Sequence, residues 1–118
     1  MSEDEKLKSL LAASNYRSSF LNQQEHLQLQ FLTNIKTFWK GHTFKCDPQL
    51  FMVIESYLRD DRQWAILIDD NTLPVMVRDL EEFMKHVFGV YQDALTTYWT
   101  KYEKLKTSRT TKEVIEAS

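Results

Sequence analysis

Three histidines, one cysteine and 17 carboxylates are the side chains of this 118-residue chain suited to holding a metal or moving a proton. His26, His42 and His86 are the histidines, and His42 with Cys46 and Asp47 is the nearest approach to a metal-ligand cluster. A zinc site takes three or four ligands at definite spacing. Here a strand would point His42 and Cys46 to one side, while Asp47, just ahead of Pro48, is better used as a helix N-cap. No metal is expected. Asp69-Asp70-Asn71 lacks the alternating acids, the glycine and the distal glutamate of a calcium loop, so a polar hairpin turn accounts for it. Asp79, Glu81 and Glu82 group carboxylates as acid–base catalysis would, yet at the first turn of a helix they are explained by its positive end. His86, beside Phe83 and Val87, belongs at the edge of a packed stripe, and no serine or threonine has the glycines of a nucleophile elbow. The expectation is a protein with no catalytic constellation, no cofactor and no recognisable small-molecule site.

A basic cluster is the next candidate. Lys101, Lys104, Lys106, Arg109 and Lys112 outnumber Glu103, with Tyr98, Trp99 and Tyr102 beside them. Such a patch suits phosphate backbones and stacked single-stranded bases. Cations at a helix C-terminus give the simpler account, and a net charge of −2 supplies no general pull toward nucleic acid. The lone cysteine fits a reducing compartment, and the start Met1-Ser2-Glu3-Asp4-Glu5-Lys6 is acidic where a signal peptide is basic. Apolar runs stop at five residues (Leu50 to Ile54, Trp64 to Ile68), so a cytoplasmic protein without a membrane span is expected.

Two glycines and two prolines leave little material for tight turns. Long helices follow, and a many-stranded sandwich or a glycine-rich phosphate loop does not. Phe20, Leu27, Phe31, Ile35 and Phe38 recur at helical spacing from Ser19 to Trp39, with Leu7, Leu10 and Leu11 upstream and a weak point near Asn15. Gly41 stands where a helix C-terminus would end. Thr43–Cys46 alternates as a short strand does, and Pro48 opens a helix of about three turns along Leu50, Phe51, Ile54, Tyr57 and Leu58. Residues 64–77 read as a β-hairpin about Asp69–Thr72, with Pro74 at a sheet edge. Asp79 and Glu82 then form a capping-box-like pair. Beyond it Leu80, Met84, Val87, Tyr91, Ala94, Tyr98, Tyr102 and Leu105 carry a helix to about Lys106, before a polar tail over 107–118.

The expected fold is therefore α+β and mostly helical: one elongated domain over 1–106. Two long antiparallel helices would carry a short helix and the β-hairpin at their connected end. The final helix, about 27 residues or roughly 40 Å, is at least as long as a compact chain of this size is wide. Phe88, Leu95, Trp99 and Tyr102 add a second apolar row to it, more than one neighbouring helix covers. Phe88, Leu95, Tyr98, Trp99 and Tyr102 are accordingly the expected interface, with a second copy or another protein as partner.

Gly41-His42-Thr43-Phe44-Lys45-Cys46, Ile66 to Asn71, Asp79-Leu80-Glu81-Glu82-Phe83, Tyr98, Tyr102 and Ser108-Arg109 together resemble small uncharacterised proteins of contractile-tailed phages of marine cyanobacteria. The likeness covers residues 41 to 112. It implies a phage protein made in the host cytoplasm, either a virion or assembly component or a small host-takeover factor, and it identifies no active site.

Overall fold

The computed structural model describes the backbone of residues 2–117 and the side chains of residues 2–108. Among these residues the elements run α1 (Glu3–Asn34), β1 (Lys36–Trp39), β2 (His42–Lys45), α2 (Pro48–Arg59), β3 (Ala65–Ile68), β4 (Pro74–Val77) and α3 (Leu80–Ala117). The fold is α+β and mostly helical, with two long helices, one short helix and two antiparallel hairpins. The chain gathers into two compact units, one of Met1–Gln30 with Tyr98–Ser118 and one of Phe31–Thr97.

In the unit of residues 31–97, hairpin geometry ends the first helix earlier than its apolar spacing predicts. α1 stops at Asn34, and Lys36–Trp39, expected to be helical, instead pairs with His42–Lys45. Lys40 (φ 49°) and Gly41 (φ 83°) both lie in the left-handed region, as a two-residue type I′ turn requires. Gly41 thus closes a hairpin rather than capping a helix. Thr37, Phe38 and Trp39 are β-branched or aromatic, and the turn gives them a strand to pair with, which outweighs a helical spacing that Ile35 and Phe38 satisfy only by coincidence.

The remaining boundaries of this unit follow local chemistry. Asp47 caps α2 by accepting the Leu50 N–H at 3.0 Å, with Pro48 at the first helical position. Asp79 accepts the Glu82 N–H at 3.1 Å and starts α3. In β3 and β4 the alternation is clean: Ala65, Leu67, Val75 and Val77 are buried, while Ile66, Ile68 and Met76 are exposed. Pro74 opens β4, so its missing N–H costs the ladder nothing. Phe44, Cys46, Ile54, Val77, Leu80, Phe83 and Val87 are the most deeply buried side chains of this core. The Phe83 ring lies edge-on to Trp39 at 5.3 Å and to Phe44 at 4.9 Å. It sits at the centre although the predicted stripe passes through Met84 instead.

The unit of residues 1–30 and 98–118 is built differently. α1 runs unbroken through Asn15, so residues 3–18 are continuous with the rest of the helix. Lys101 Nζ donates to Gln30 Oε1 at 2.7 Å, while Leu105 and Ser108 share a groove with Ala12 and Phe20, the order of an antiparallel pair. Between the helices stand Ser19, Asn22, Gln23 and His26, which leave grooves of 590 and 470 Å³. Phe20, 8% exposed, is the buried side chain here among the described residues. α3 continues to Ala117, past Lys106 where the composition predicts a tail. Residues 107–117 contain no glycine or proline to stop it.

Candidate functional site

At 3.6 residues per turn, the apolar residues of α1 fall into two stripes about 130° apart round the helix. Phe20, Leu27 and Phe31 form one, and they are buried or half-buried. Leu7, Leu10, Leu11, Leu21 and Leu29 form the other, continued by Leu32, and every one is exposed, Leu10 at 69%. A helix with one covered and one bare apolar stripe has a second face to bury. Sequence reading noted Leu7, Leu10 and Leu11 only as helix formers and passed over Leu21 and Leu29. Plotting both stripes on one wheel is the signal that finds them.

On α3 the same geometry places Phe88, Leu95 and Trp99 within about 40° of one another. All three are exposed, Trp99 at 64%. Tyr98 and Tyr102 lie on the adjoining face, half-buried, with ring centroids 6.5 Å apart. The five expected interface residues thus divide. Tyr98, Trp99 and Tyr102 belong to the unit of residues 1–30 and 98–118, whereas Phe88 and Leu95 belong to the other. Phe88 rests edge-on against Phe51 at 5.4 Å, so part of its ring serves the core.

Two residues of the basic cluster, Lys101 and Lys106, make contacts within the chain. Lys101 bonds Gln30, and Lys106 lies 3.5 Å from Glu103 and over the Tyr102 ring at 5.7 Å. Lys104 is exposed. The side chains of Arg109 and Lys112 lie outside the described residues.

The residues that suggested chemistry take structural positions. Asp69 is buried in the β3–β4 turn. Its Oδ1 accepts the N–H groups of Asn71 at 2.9 Å and Leu73 at 2.8 Å, and its Oδ2 accepts from His42 Nδ1 at 2.8 Å. These donors, Leu73 first, then His42, with Asn71 adding, hold the carboxyl below the usual aspartate range against the opposing effect of burial. The contact ties β2 to the turn of the second hairpin. Cys46 is fully buried, and burial, with the Asp47 carboxylate adding, pushes its thiol up to about 11. A thiol so placed is a poor nucleophile and a poor ligand. His86 Nε2 lies 3.0 Å from Thr37 Oγ1. Among the described residues no group of three or more His, Cys, Asp or Glu side chains converges on a common point. None of the helices described is long and apolar enough to cross a membrane. The 590 Å³ groove between α1 and α3 is lined by amides, hydroxyls, His26, Lys101, Leu27 and Leu105.

What the residues offer is therefore surface: in one unit a bare leucine stripe on α1 and an exposed Trp99 on α3, and in the other an exposed Phe88 and Leu95. Compared with known proteins, the chain matches no family model, no curated protein and no solved structure.

Proposed function

We propose that the protein works without catalysis, as a protein–protein interaction or assembly component that self-associates through its long helices. One observation carries the reading: in residues 1–30 and 98–108 a single side chain, Phe20, is buried, while five leucines and Trp99 are exposed. Helices in water owe most of their stability to tertiary packing of an apolar face. Each leucine transferred out of water contributes about 1.5–3 kcal/mol. A second copy brings the same stripe, and two such stripes pack as the seam of a helical bundle. The resemblance of residues 41–112 to small proteins of contractile-tailed phages fits this reading as a virion or assembly component, with the host cytoplasm or the virion as its place, and fits a small host-takeover factor equally.

Light scattering on the purified chain tests this. The expected mass is a multiple of one chain, and Leu11→Glu with Trp99→Glu shifts it to one chain while the near-ultraviolet signal of residues 31–97 is kept. A wild-type mass of one chain at micromolar concentration overturns the reading.

A further inference from the structure

Antiparallel pairing fixes which backbone groups each hairpin turns outward. Trp39 and His42 flank the two-residue turn as a bonded pair, so Phe44 faces β1, and Thr43 and Lys45 face away. The Cys46 N–H on the Ile35 carbonyl at 2.7 Å keeps the same alternation. In the second hairpin the Asp69 N–H donates to the Leu73 carbonyl at 2.9 Å. Ala65 and Leu67 therefore bond β4, and Ile66 and Ile68 turn their N–H and C=O groups away from it.

These two outward edges meet at one point. The Asp70 N–H donates to the Thr43 carbonyl at 2.8 Å. A continued ladder would next join Lys45 to Ile68, but β2 and β3 belong to separate sheets and that bond is not made. The edges part around a groove of 480 Å³ with Leu50, Val53 and Tyr57 of α2 along it. β4, by contrast, carries Pro74 on its outer edge, the kind of residue that blunts strand addition.

We propose that the split between β2 and β3 captures a single extended strand of another protein, through backbone hydrogen bonds to Lys45 on one side and to Ile66 and Ile68 on the other. Edges on both sides decide the occupant. A helix has spent its own backbone groups and measures about 10 Å across with side chains. A folded sheet edge, a second copy's β3 included, brings a neighbouring strand into the space β2 occupies. A lone strand has free backbone groups on both of its edges, matching the outward groups of Lys45 on one side and of Ile66 and Ile68 on the other. Its side chains alternate between the α2 floor and the face of Ile66 and Ile68, which are 53% and 57% exposed, so apolar residues suit both sets. This capture concerns residues 31–97 and goes beyond the association of the helices.

The probe is a capped peptide of about six alternating valines and threonines, titrated into the isotope-labelled full-length chain. On binding, the amide resonances of Lys45, Ile66 and Ile68 are expected to move downfield and gain at least about tenfold protection from exchange. The same peptide N-methylated on alternate amides should bind at least about tenfold more weakly. Ile68→Pro removes one outward donor without touching a β4 bond and should abolish binding. If it unfolds the hairpin, the N-methylated peptide decides, since it leaves the protein untouched. Amides of Lys45, Ile66 and Ile68 that stay unmoved at millimolar peptide overturn the proposal, as does equal binding of the N-methylated peptide.

Discussion

Phe83 and Phe20 are both buried phenylalanines on long helices, and their surroundings have little in common. Phe83 is enclosed by Trp39, Phe44 and the inner faces of two hairpins. Phe20 lies beside an open groove bordered by serine, asparagine and glutamine. One unit encloses a packed core while still exposing Phe38, Trp64, Ile66, Ile68 and Leu73, and the other buries only Phe20 among its described residues. The difference teaches where the packed core of this chain lies. Residues 31–97 hold their shape by a core of their own, and residues 1–30 with 98–108 enclose little beyond Phe20.

The strongest way to break that comparison is to remove the two phenylalanines in turn. Phe83→Ala should cost about 3–5 kcal/mol and lower amide protection throughout residues 65–77, because its dense neighbourhood leaves a cavity. Phe20→Ala should cost less, about 2 kcal/mol, with protection lost along α1 alone, since an open groove relaxes around the gap. Equal costs measured by denaturant unfolding and hydrogen exchange would dissolve the distinction.

A smaller effect sharpens it from the α3 side. Asp79→Ala removes the cap of α3 at the edge of the dense core, for about 1 kcal/mol. The thermal midpoint of residues 31–97 should fall while the oligomeric mass stays constant. A change in mass instead would mean that core and surface are one cooperative system.

The least effect is expected from acid. Asp69 ionises more readily folded than unfolded, so its contribution to stability is complete above the ordinary aspartate range. It is lost as pH falls from there through the lowered folded value. Denaturant midpoints of residues 31–97 should decline on that acid side, and Asp69→Asn should flatten the decline. An unchanged slope in that variant would show that the buried carboxylate is not what ties β2 to the second hairpin.

Much of this was legible in the residues. Asp47-Pro48 and Asp79 with Glu82 state their helix starts by short-range chemistry, and two apolar runs joined by the turn residues Asp69–Thr72 mark the second hairpin. Residues 35–39 misled because Ile35 and Phe38 satisfy a helical period. The two positive-φ residues that make the turn, one of them a lysine, carry no strong turn signature beyond Gly41. The exposure of Phe88, Leu95 and Trp99 was foreseen from excess apolar width on α3. The leucine stripe on α1 was not, because counting one face at a time hides a second face beside it. The split between β2 and β3 was out of reach, since it depends on how two hairpins far apart in sequence approach each other.

The sealed cysteine makes any covalent pairing of these molecules informative. Cys46 has no accessible surface and a proton that is hard to remove, so two intact chains have no route to a sulfur bridge. A band of doubled mass on a non-reducing gel therefore marks molecules that opened before they joined, and it must be subtracted from any measure of genuine association.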